Sequence, residues 1–556
     1  MRKQVSFFLL PFIILLALFF RLYNINWDEN QHLHPDERFL TMVSTNMKLP
    51  IDLFDYLSPA TSPFNPANIG YQFFVYGTFP LVLNKVIAIM FGFNTYNDLT
   101  LLGRFLSGLA DTANVLFIFL TAKLLEEKYK LNKSIKFFAS FIYAISVLPI
   151  QLSHFFTVDS FANLFSFASF YFILRYVCRR NIGNALLSAF FLGLAIASKV
   201  SGIAILVLNA MLLVSAFIPN FKDRKAPIKT CGKLFFLFIV YFVVAYIGVR
   251  LADPYLFETS SFFDLRPSSL FIENLKTLKS YESDSFPPAI QWITKPPITY
   301  SFVNLVVFGF GIVPSLLFFA GLLVIVAKHR HRELILIILW TTAFFFFQSV
   351  QFAKPVRYLI FIYPFLAIIA GIGASRLILR KPWIFISMVI LLLLIWPLMF
   401  LSVYIQRTTR VQASEWIYQH IHDGAHILTE HWDDPLPVPL ASYPNRAFPA
   451  EQLPVFDPDT EEKWKRINEL LGRGNYLILS SKRGWGSIPT VPNRYPRMTK
   501  FYQDLLAGKT AYQKIQEFTS YPSLRYLGIP FDFPNDWAEE SFTVYDHPKV
   551  LIFKKE

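Results

Sequence analysis

The chain has 556 residues, of which 54% are hydrophobic, 17% aromatic and only 16% charged, and its mean hydropathy is +0.42. Because a soluble domain carries about 25% charged residues, this composition excludes a soluble protein and predicts a polytopic α-helical membrane protein. The formal net charge of +14 would suit a nucleic-acid partner, but the basic residues cluster in short loops between apolar runs. We therefore interpret the charge as a topology signal and expect no nucleic-acid partner.

About eleven apolar segments have the length and composition of transmembrane helices, which need about 20 mostly apolar residues. They are 6–23, 101–124, 135–151, 158–177, 183–199, 201–218, 234–251, 301–327, 334–350, 357–375 and 382–403. The stretch 79–93 could be a further span, but Tyr71, Gly77 and Pro80 flank it and favour a re-entrant or interfacial helix on the external side. An extra span there would invert the orientation of all that follows.

The charges of the connecting loops favour one orientation. With the N-terminus inside, the short external connections at 152–157 and 351–356 contain a single lysine or arginine, Lys354. The predicted cytoplasmic connections contain Lys123, Lys128, Lys130, Lys133, Lys136, Arg175, Arg179, Arg180, Lys222, Arg224, Lys225, Lys229, Lys233, Lys328, Arg330, Arg332, Arg376, Arg380 and Lys381. Because Lys and Arg are retained on the cytoplasmic side, we expect a multi-pass protein of the plasma membrane with its N-terminus inside.

The composition changes after residue 403. Residues 1–403 are predicted to form the transmembrane domain, and 404–556 are polar, rich in Pro and Trp, and long enough for one further domain. Predicted helices at 413–421 and 461–471, a buried strand at 475–480 and a strand-rich segment at 542–553 indicate a small α/β domain. An odd number of spans from an internal start places this C-terminal domain outside.

Two adjacent carboxylates follow the first span almost at once. Asp36 and Glu37 belong to the run His34-Pro35-Asp36-Glu37-Arg38-Phe39, which the predicted orientation puts on the external face. Carboxylates next to a bilayer are costly unless a cation or a proton-yielding substrate belongs beside them. Proline at position 35 favours a helix that begins at this pair. The pair is therefore the first candidate for catalysis.

Other polar residues are predicted to gather on the same external face. They are Arg104 in the outer part of the second span, His154 and Asp159 between the third and fourth, Lys199 after the fifth, Arg250 and Asp253 at the end of the seventh, and Arg357 and Tyr358 at the start of the tenth. Each alone could be an ordinary interfacial residue, because helix ends tolerate charge. Together they place carboxylates beside cations and next to lipid, as a phosphorylated lipid substrate would require.

The chemistry suggested by this set is sugar transfer. A carboxylate within hydrogen-bond reach can deprotonate an acceptor hydroxyl or amine, and Lys and Arg can stabilise the charge on a departing lipid phosphate. The sequence has no glycine-rich loop able to cradle a nucleotide, since Gly371-Ile372-Gly373 is too weak a signal. A lipid-carried sugar donor is therefore expected.

In order along the chain, the acidic pair, Arg104, the His154/Asp159 turn, the Lys199 turn and Arg357-Tyr358 ahead of Pro364 resemble one family. Over roughly 1–403 the chain is similar to polyprenyl-phosphate-dependent glycosyltransferases of the type C fold, which include protein O-mannosyltransferases and lipid A aminoarabinose transferases. The resemblance implies about eleven transmembrane helices and a polyprenyl-phosphate sugar donor.

The resemblance also implies roles for individual residues. Asp36 would be the leading catalytic residue, either as the base or by orienting the acceptor, with Glu37 as its partner. Lys199, Arg357, Tyr358 and Arg104 would bind the donor phosphate, and His154, Asp159, Arg250 and Asp253 would support the site. The acceptor stays open among protein, lipid and glycan, because the C-terminal domain and the first loop, with Trp27-Asp28-Glu29 and His32-Leu33-His34, depart from the better-known members.

Three alternatives remain open at this stage. His34 and Asp36, with His32 and Glu37, could hold a divalent metal ion, although the histidines could equally cap the loop. Trp432, Trp464, Trp485 and Trp537 could stack on sugars, although such residues usually belong to a core or face a membrane. Finally, the protein could be a transporter or flippase of lipid-linked sugars, but transporters place ionisable residues near the bilayer midplane and show two related halves, which this sequence does not.

The orientation gives a first testable prediction. A reporter fused after Trp432 should be active only outside the cytoplasm, and one fused after Lys225 only inside it, because basic loops are retained on the cytoplasmic side. Paired alkaline phosphatase and fluorescent-protein fusions measure both. A cytoplasmic signal from the Trp432 fusion would contradict an external site.

Overall fold

The computed structural model describes residues 2–221, 227–377 and 381–556, with side chains described outside 2–7 and 219–229. Lys222, Arg224, Lys225 and Arg380 of two predicted cytoplasmic loops lie outside the described residues. The helices of the apolar part are α1 Arg2–Leu22, α2 Pro35–Asn46, α3 Leu53–Tyr56, α4 Phe79–Phe91, α5 Tyr96–Tyr129, α6 Ile135–Ala144, α7 Val147–Ser153, α8 Asp159–Arg179, α9 Ile182–Ser198, α10 Ile205–Phe221, α11 Pro227–Ala252, α12 Ser269–Tyr281, α13 Thr299–Val303, α14 Ile312–Lys328, α15 Arg332–Ser349, α16 Tyr363–Leu377 and α17 Trp383–Ile405.

Long apolar helices dominate this part of the chain. Within the described residues, seven helices are long and apolar enough to cross a membrane, and two bent helix pairs raise the number to as many as nine. Three shorter apolar helices, Phe8–Leu22, Phe79–Phe91 and Ile182–Ser198, accompany them. The prediction of a multi-pass α-helical membrane protein is confirmed.

Two predicted spans are broken rather than straight. The segment predicted at 135–151 bends by 52° between α6 and α7, and the segment predicted at 301–327 bends by 115° between Thr299–Gly309 and Ile312–Lys328. Gly311, at φ +95°, stands at the second break, in a backbone conformation that favours glycine. Helix α4, expected to be re-entrant or interfacial, has 13 residues, which is too short to cross about 30 Å of hydrocarbon.

Buried charge fixes the first helix to its neighbours. Arg21, at the end of α1, donates from Nε to Oδ2 of Asp111 in α5 over 2.6 Å and from Nη1 to the Ala144 carbonyl oxygen over 2.8 Å. The Tyr143 hydroxyl donates to the other oxygen of Asp111. Because an uncompensated charge is expensive in an apolar interior, this network sets the position of the loop that follows α1.

The C-terminal region, residues 407–556, is an α/β unit, as predicted. It contains helices α18 Thr409–His420, α19 Glu461–Arg473, α20 Arg483–Ser487, α21 Pro496–Leu506 and α22 Glu540–Thr543, and strands β1 Ile427–Glu430, β2 Ala450–Leu453, β3 Tyr476–Leu479, β4 Tyr512–Phe518 and β5 Val550–Lys555. The sheet order is β2-β1-β3-β5-β4. Strands β2, β1 and β3 are parallel, whereas β5 is antiparallel to both β3 and β4.

This region is bound firmly to the helical part. Gln151 of α7 donates to the Phe542 carbonyl oxygen over 2.8 Å and to Asp546 over 2.9 Å. Asp546 also accepts from Tyr404 of α17, over 3.0 Å. Arg38 of α2 forms an ion pair with Asp434, at 2.9 Å. The C-terminal region therefore covers the end of the helical part where α2 and α7 lie.

Candidate active site

Asp36 forms an ion pair with Arg357 across a sequence separation of more than 300 residues. Arg357 Nη1 donates to Oδ2 of Asp36 over 2.6 Å, and the two side chains are 19% and 23% exposed. Asp36 lies in the first turn of α2, after Pro35 at the first helical position and His34 at the N-cap. Among the described residues, Nε of Arg357 has no hydrogen-bond partner. This arginine therefore retains a donor for a further oxygen.

A second ion pair stands beside the first. Lys199, directly after α9, donates to Oδ1 of Asp159 at the start of α8 over 2.8 Å. Its ammonium lies 4.9 Å from the ring centre of Tyr358, while Arg357 lies 5.8 Å from the same ring. The lysine is 23% exposed and Asp159 only 4%. Two cations and two carboxylates thus share one site around Tyr358.

The neighbouring charges determine the pKa of Asp36. Burial alone would raise the pKa of the Asp36 carboxyl, but the charges of Arg357, His34 and Lys199 and the hydrogen bond from Arg357 lower it to about 2. Asp36 is therefore ionised at neutral pH. It is also a weak base for as long as Arg357 stays bound to it.

Glu37 and Arg104 have a different environment from the one we predicted. Both are fully buried. Arg104 binds Glu37 through Nε at 2.9 Å and Nη2 at 2.5 Å, and binds Asp28 through Nη1 at 3.0 Å and Nη2 at 2.7 Å. Nη1 also donates to the Ile25 carbonyl oxygen, and Glu37 accepts from the Phe156 amide. All five guanidinium donors are directed at protein oxygens, so Arg104 has none left for a donor phosphate, contrary to the prediction.

These contacts also give Glu37 a structural role rather than a catalytic one. Its carboxylate holds the start of α2 against α5 and the turn that contains Phe156, while its neighbour Asp36 points into the partly exposed site. Consecutive residues of a helix are separated by about 100° around its axis, so one acidic pair serves two environments. Glu37 is a structural partner of Arg104 rather than of Asp36.

The predicted metal ligands do not converge. Nδ1 of His34 accepts a hydrogen bond from the Glu37 amide. The buried His34 ring packs on Phe155 and Tyr545, with centroid distances of 4.5 and 4.2 Å. Both ring nitrogens of His32 are used by Asn97 and Thr100. In the part of the chain that the structure describes, no group of three or more His, Cys, Asp or Glu could hold a metal ion. The residues do not fit a metal, and the capping interpretation of His34 is the better one.

The remaining predicted residues make contacts of their own outside the two ion pairs. His154 is buried, stacks on Tyr404 with centroids 3.7 Å apart, and bonds to the carbonyl oxygens of Ile150 and Tyr23. Arg250 donates to the carbonyl oxygens of Thr259 and Ser261, which fixes the loop after α11. It does not pair with Asp253, which instead accepts the Thr78 amide over 2.9 Å. Burial raises the pKa of Asp253 to about 7.

Asp253 nevertheless acts on the site through one short segment. The Thr78 amide that it binds follows Gly77, whose own amide donates to the Ser198 carbonyl oxygen over 3.1 Å. A Cβ at Gly77 would lie 2.0 Å from the Ala197 carbonyl oxygen, so the close contact with the end of α9 requires glycine. This packing brings Tyr76 next to Asp36, where burial and the Asp36 charge raise the pKa of its hydroxyl.

Sequence reasoning missed two aromatic residues of the site. Tyr76 comes from the loop before α4, and Tyr545 comes from the C-terminal region. Burial raises the pKa of the Tyr545 hydroxyl to about 12, and the charges of Arg357, Asp36, Arg483 and Glu540 also act on it. Tyrosine is common in this chain, and no local pattern marks these two. Only the fold brings them to the ion pairs.

The buried cluster predicts a loss of stability rather than of donor binding. Arg104→Met removes the cation from two buried carboxylates and should destabilise the protein by about 3–5 kcal/mol, the usual cost of breaking a buried pair. Arg266→Met, at an exposed arginine of an external loop, is the control and should have little effect. Thermal unfolding in detergent measures both. An unchanged unfolding midpoint together with weaker donor binding would return Arg104 to the donor site.

Comparison with known proteins supplies the family context. Residues 80–246 match the family described as dolichyl-phosphate-mannose-protein mannosyltransferase. The match includes Asp159 and Lys199 but ends before Arg357 and begins after Asp36. No curated protein matches the sequence.

Several solved structures resemble the chain. The Archaeoglobus fulgidus oligosaccharyltransferase in complex with Zn and sulfate has a TM-score of 0.51 and 14% identity, covering 92% of this chain and 72% of that one. The same enzyme tethered to an acceptor peptide has a TM-score of 0.51 and 13% identity, covering 93% of this chain and 73% of that one. Cupriavidus metallidurans ArnT in the apo state has a TM-score of 0.45 and 13% identity, covering 100% of this chain and 98% of that one. The two oligosaccharyltransferase structures, both at a TM-score of 0.51, show that the chain has the type C glycosyltransferase fold.

Proposed function

We propose that this protein is an integral-membrane glycosyltransferase that moves a sugar from a polyprenyl-phosphate donor to an external acceptor. The observation that carries the proposal is the pair of neighbouring cations, Arg357 and Lys199, at the ends of apolar helices. Each is held by a carboxylate and each is partly exposed. The match of 80–246 to a family named for a lipid-phosphate sugar donor supports the same substrate class.

The donor phosphate would bind by replacing protein carboxylates. Arg357 has a buried Nε without a partner among the described residues, and the ammonium of Lys199 has three donors, of which one is bound to Asp159. A phosphate presents several anionic oxygens and can therefore take Arg357 Nε and Nη together with Lys199. Tyr358 packs under both cations and would keep them on one side of the phosphate.

Asp36 would then be released to act as the base. Once a phosphate shares Arg357, the attraction that lowers the pKa of Asp36 weakens, while the burial that raises it remains. The carboxylate becomes a better proton acceptor for a hydroxyl or amine placed beside it. Donor binding would thus prepare the base before the acceptor reacts.

The sugar transfer needs no reactant other than the donor and the acceptor. The acceptor oxygen or nitrogen forms a bond to the anomeric carbon while the bond from that carbon to the phosphate oxygen breaks. The acceptor proton passes to Asp36, and the electron pair of the broken bond stays on the polyprenyl phosphate. Arg357 and Lys199 stabilise this charge where it develops. Asp159 positions Lys199, and Tyr76 and Tyr545 border Asp36.

The location of the charges does not favour a transporter. Asp36 begins α2, Asp159 begins α8, Lys199 follows α9 and Arg357 precedes α16. All four therefore lie at helix ends, whereas transporters bind their substrates near the bilayer midplane. We further propose that residues 1–403 form the catalytic membrane domain and that the C-terminal domain, 404–556, covers the site from outside the plasma membrane.

The cations should determine donor affinity. Lys199→Ala and Arg357→Ala should each raise the Kd for a polyprenyl-phosphate sugar by about tenfold or more, because each removes a charge-assisted hydrogen bond worth about 1.5–3 kcal/mol. Arg266→Ala, which removes an exposed cation outside the site, is the matched control. Binding to the purified protein in nanodiscs measures the effect. Unchanged affinity in both variants would exclude these residues from the donor site.

The carboxylate of Asp36 should determine turnover. Asp36→Asn keeps the shape but loses the basic oxygen, so kcat at saturating donor should fall at least about a hundredfold, since a positioned base contributes about 10²- to 10⁴-fold. Donor binding should persist, and Asp264→Asn, at an external carboxylate outside the site, should turn over normally. Release of labelled polyprenyl phosphate with a panel of acceptors measures kcat. Near-normal turnover by Asp36→Asn would contradict the role of base.

A further inference from the structure

A second cleft opens between an external loop of the helical part and the C-terminal region. Its volume is about 240 Å³, somewhat below the roughly 300–1,000 Å³ of sites that enclose a drug-sized ligand. Lys295 and Tyr300 line it from the helical part. The opposite wall contains Lys482, Trp485, Trp537 and Glu540.

Both walls of this cleft are held in place. The loop that carries Lys295 also contributes Ile290, which is fully buried in the core of the C-terminal region. On the other wall, Lys482 donates to the carbonyl oxygens of Asp536 and Ala538 over 2.7 and 2.5 Å, which fixes the segment that carries Trp537. The cleft is therefore a formed feature of the fold rather than a gap between loosely joined parts.

Flat aromatic surfaces and hydrogen-bonding groups alternate along the cleft. The Trp537 side chain is 54% exposed, although its ring packs on Phe308 with centroids 4.4 Å apart. Trp485 is half-buried, and its buried Nε1–H has no hydrogen-bond partner in the described part of the chain. Because an unpaired buried donor costs about 1–3 kcal/mol, an acceptor atom supplied by a ligand would stabilise it.

The cleft lies near the ion pairs of the active site. Glu540, which lines it, binds Arg483 over 2.8 Å. The charges of Glu540 and Arg483 act on Tyr545 together with those of Asp36 and Arg357. Tyr545 follows Glu540 by five residues, and its ring packs on that of His34, two residues before Asp36. One short segment therefore connects the cleft with the site around Asp36.

We propose that this cleft binds a saccharide portion of the acceptor, so that the acceptor is a glycan or carries one. A sugar ring presents an apolar C–H face that fits Trp537 and hydroxyls that suit Lys482, Glu540 and the Trp485 N–H. An extended peptide would find alternating pockets or an open sheet edge in a typical peptide site, and the cleft is bordered by neither. The assignment of the ligand as acceptor rests on the proposed glycosyltransferase function.

Direct binding tests the proposal without any transfer reaction. Saturation-transfer difference NMR on the full-length protein in nanodiscs, without donor, would use mannotetraose, chitotetraose and maltotetraose as probes, and a flexible Ser- and Thr-containing decapeptide as the alternative. At least one tetrasaccharide should bind. Trp537→Ala should weaken its binding about tenfold. Trp485→Phe should weaken it about two- to tenfold and leave the unfolding midpoint unchanged, because the lost N–H has no partner in the protein.

A control variant makes the outcomes distinct. Trp416→Phe, at a tryptophan that stacks on His420 in α18, should bind the tetrasaccharide as the wild type does. The proposal would be overturned if none of the three tetrasaccharides bound, or if the decapeptide alone bound. It would also be overturned if both cleft variants bound the tetrasaccharide as tightly as the wild type does. Saccharide binding without any sugar transfer from lipid-phosphate donors would instead contradict the proposed function and leave the saccharide site standing.

Discussion

The buried cluster of Arg104 with Asp28 and Glu37 is the interaction on which the site depends. A guanidinium inside the helical part has to be neutralised, and here two carboxylates and a carbonyl oxygen use every donor that it has. Asp28 lies within the loop between α1 and α2, and Glu37 lies in the first turn of α2. The cluster therefore holds both the loop and the start of α2 against α5. The direction of α2 follows, and with it the position of Asp36. One fixed ion cluster thereby frees the adjacent carboxylate to face a pocket.

Sequence patterns predicted the class of fold. Of the predicted site residues, the structure brings together Asp36, Asp159, Lys199, Arg357 and Tyr358. The apolar segments near 159–179, 332–349 and 356–377 and the helix starting at Pro35 agree with the structure, because hydropathy and proline act locally. The bends at 145–146 and 310–311 were missed, because the hydropathy of a segment does not show whether the helix axis changes direction within it. Arg104 was misjudged because a sequence shows a residue's type but not how many partners saturate it. Tyr545 could not be predicted at all, because nothing near it in the chain indicates a contact with His34, over 500 positions away.

The C-terminal region does more than cover the membrane part. Asp546 receives hydrogen bonds from Gln151 and Tyr404, and Tyr545, one residue earlier, reaches the ring of His34. The segment that carries Tyr545 follows Glu540 at the edge of the saccharide cleft by only five residues. A ligand that fills the cleft therefore contacts the start of the short segment that carries Tyr545, which borders Asp36. Under the proposed function, acceptor binding in the cleft would be coupled through this segment to the environment of Asp36.

The charge balance of the site also sets an order of events. The charges of Asp36, Asp159, Lys199 and Arg357 sum to zero, so each cation of the site is balanced by a carboxylate. An acceptor that arrives first meets a carboxylate whose basicity Arg357 suppresses. A donor that arrives first adds anionic oxygens, which compete for Arg357 and Lys199 and leave Asp36 with less opposing charge. Under the proposed mechanism, the proton acceptor would become effective only when the leaving group is already bound.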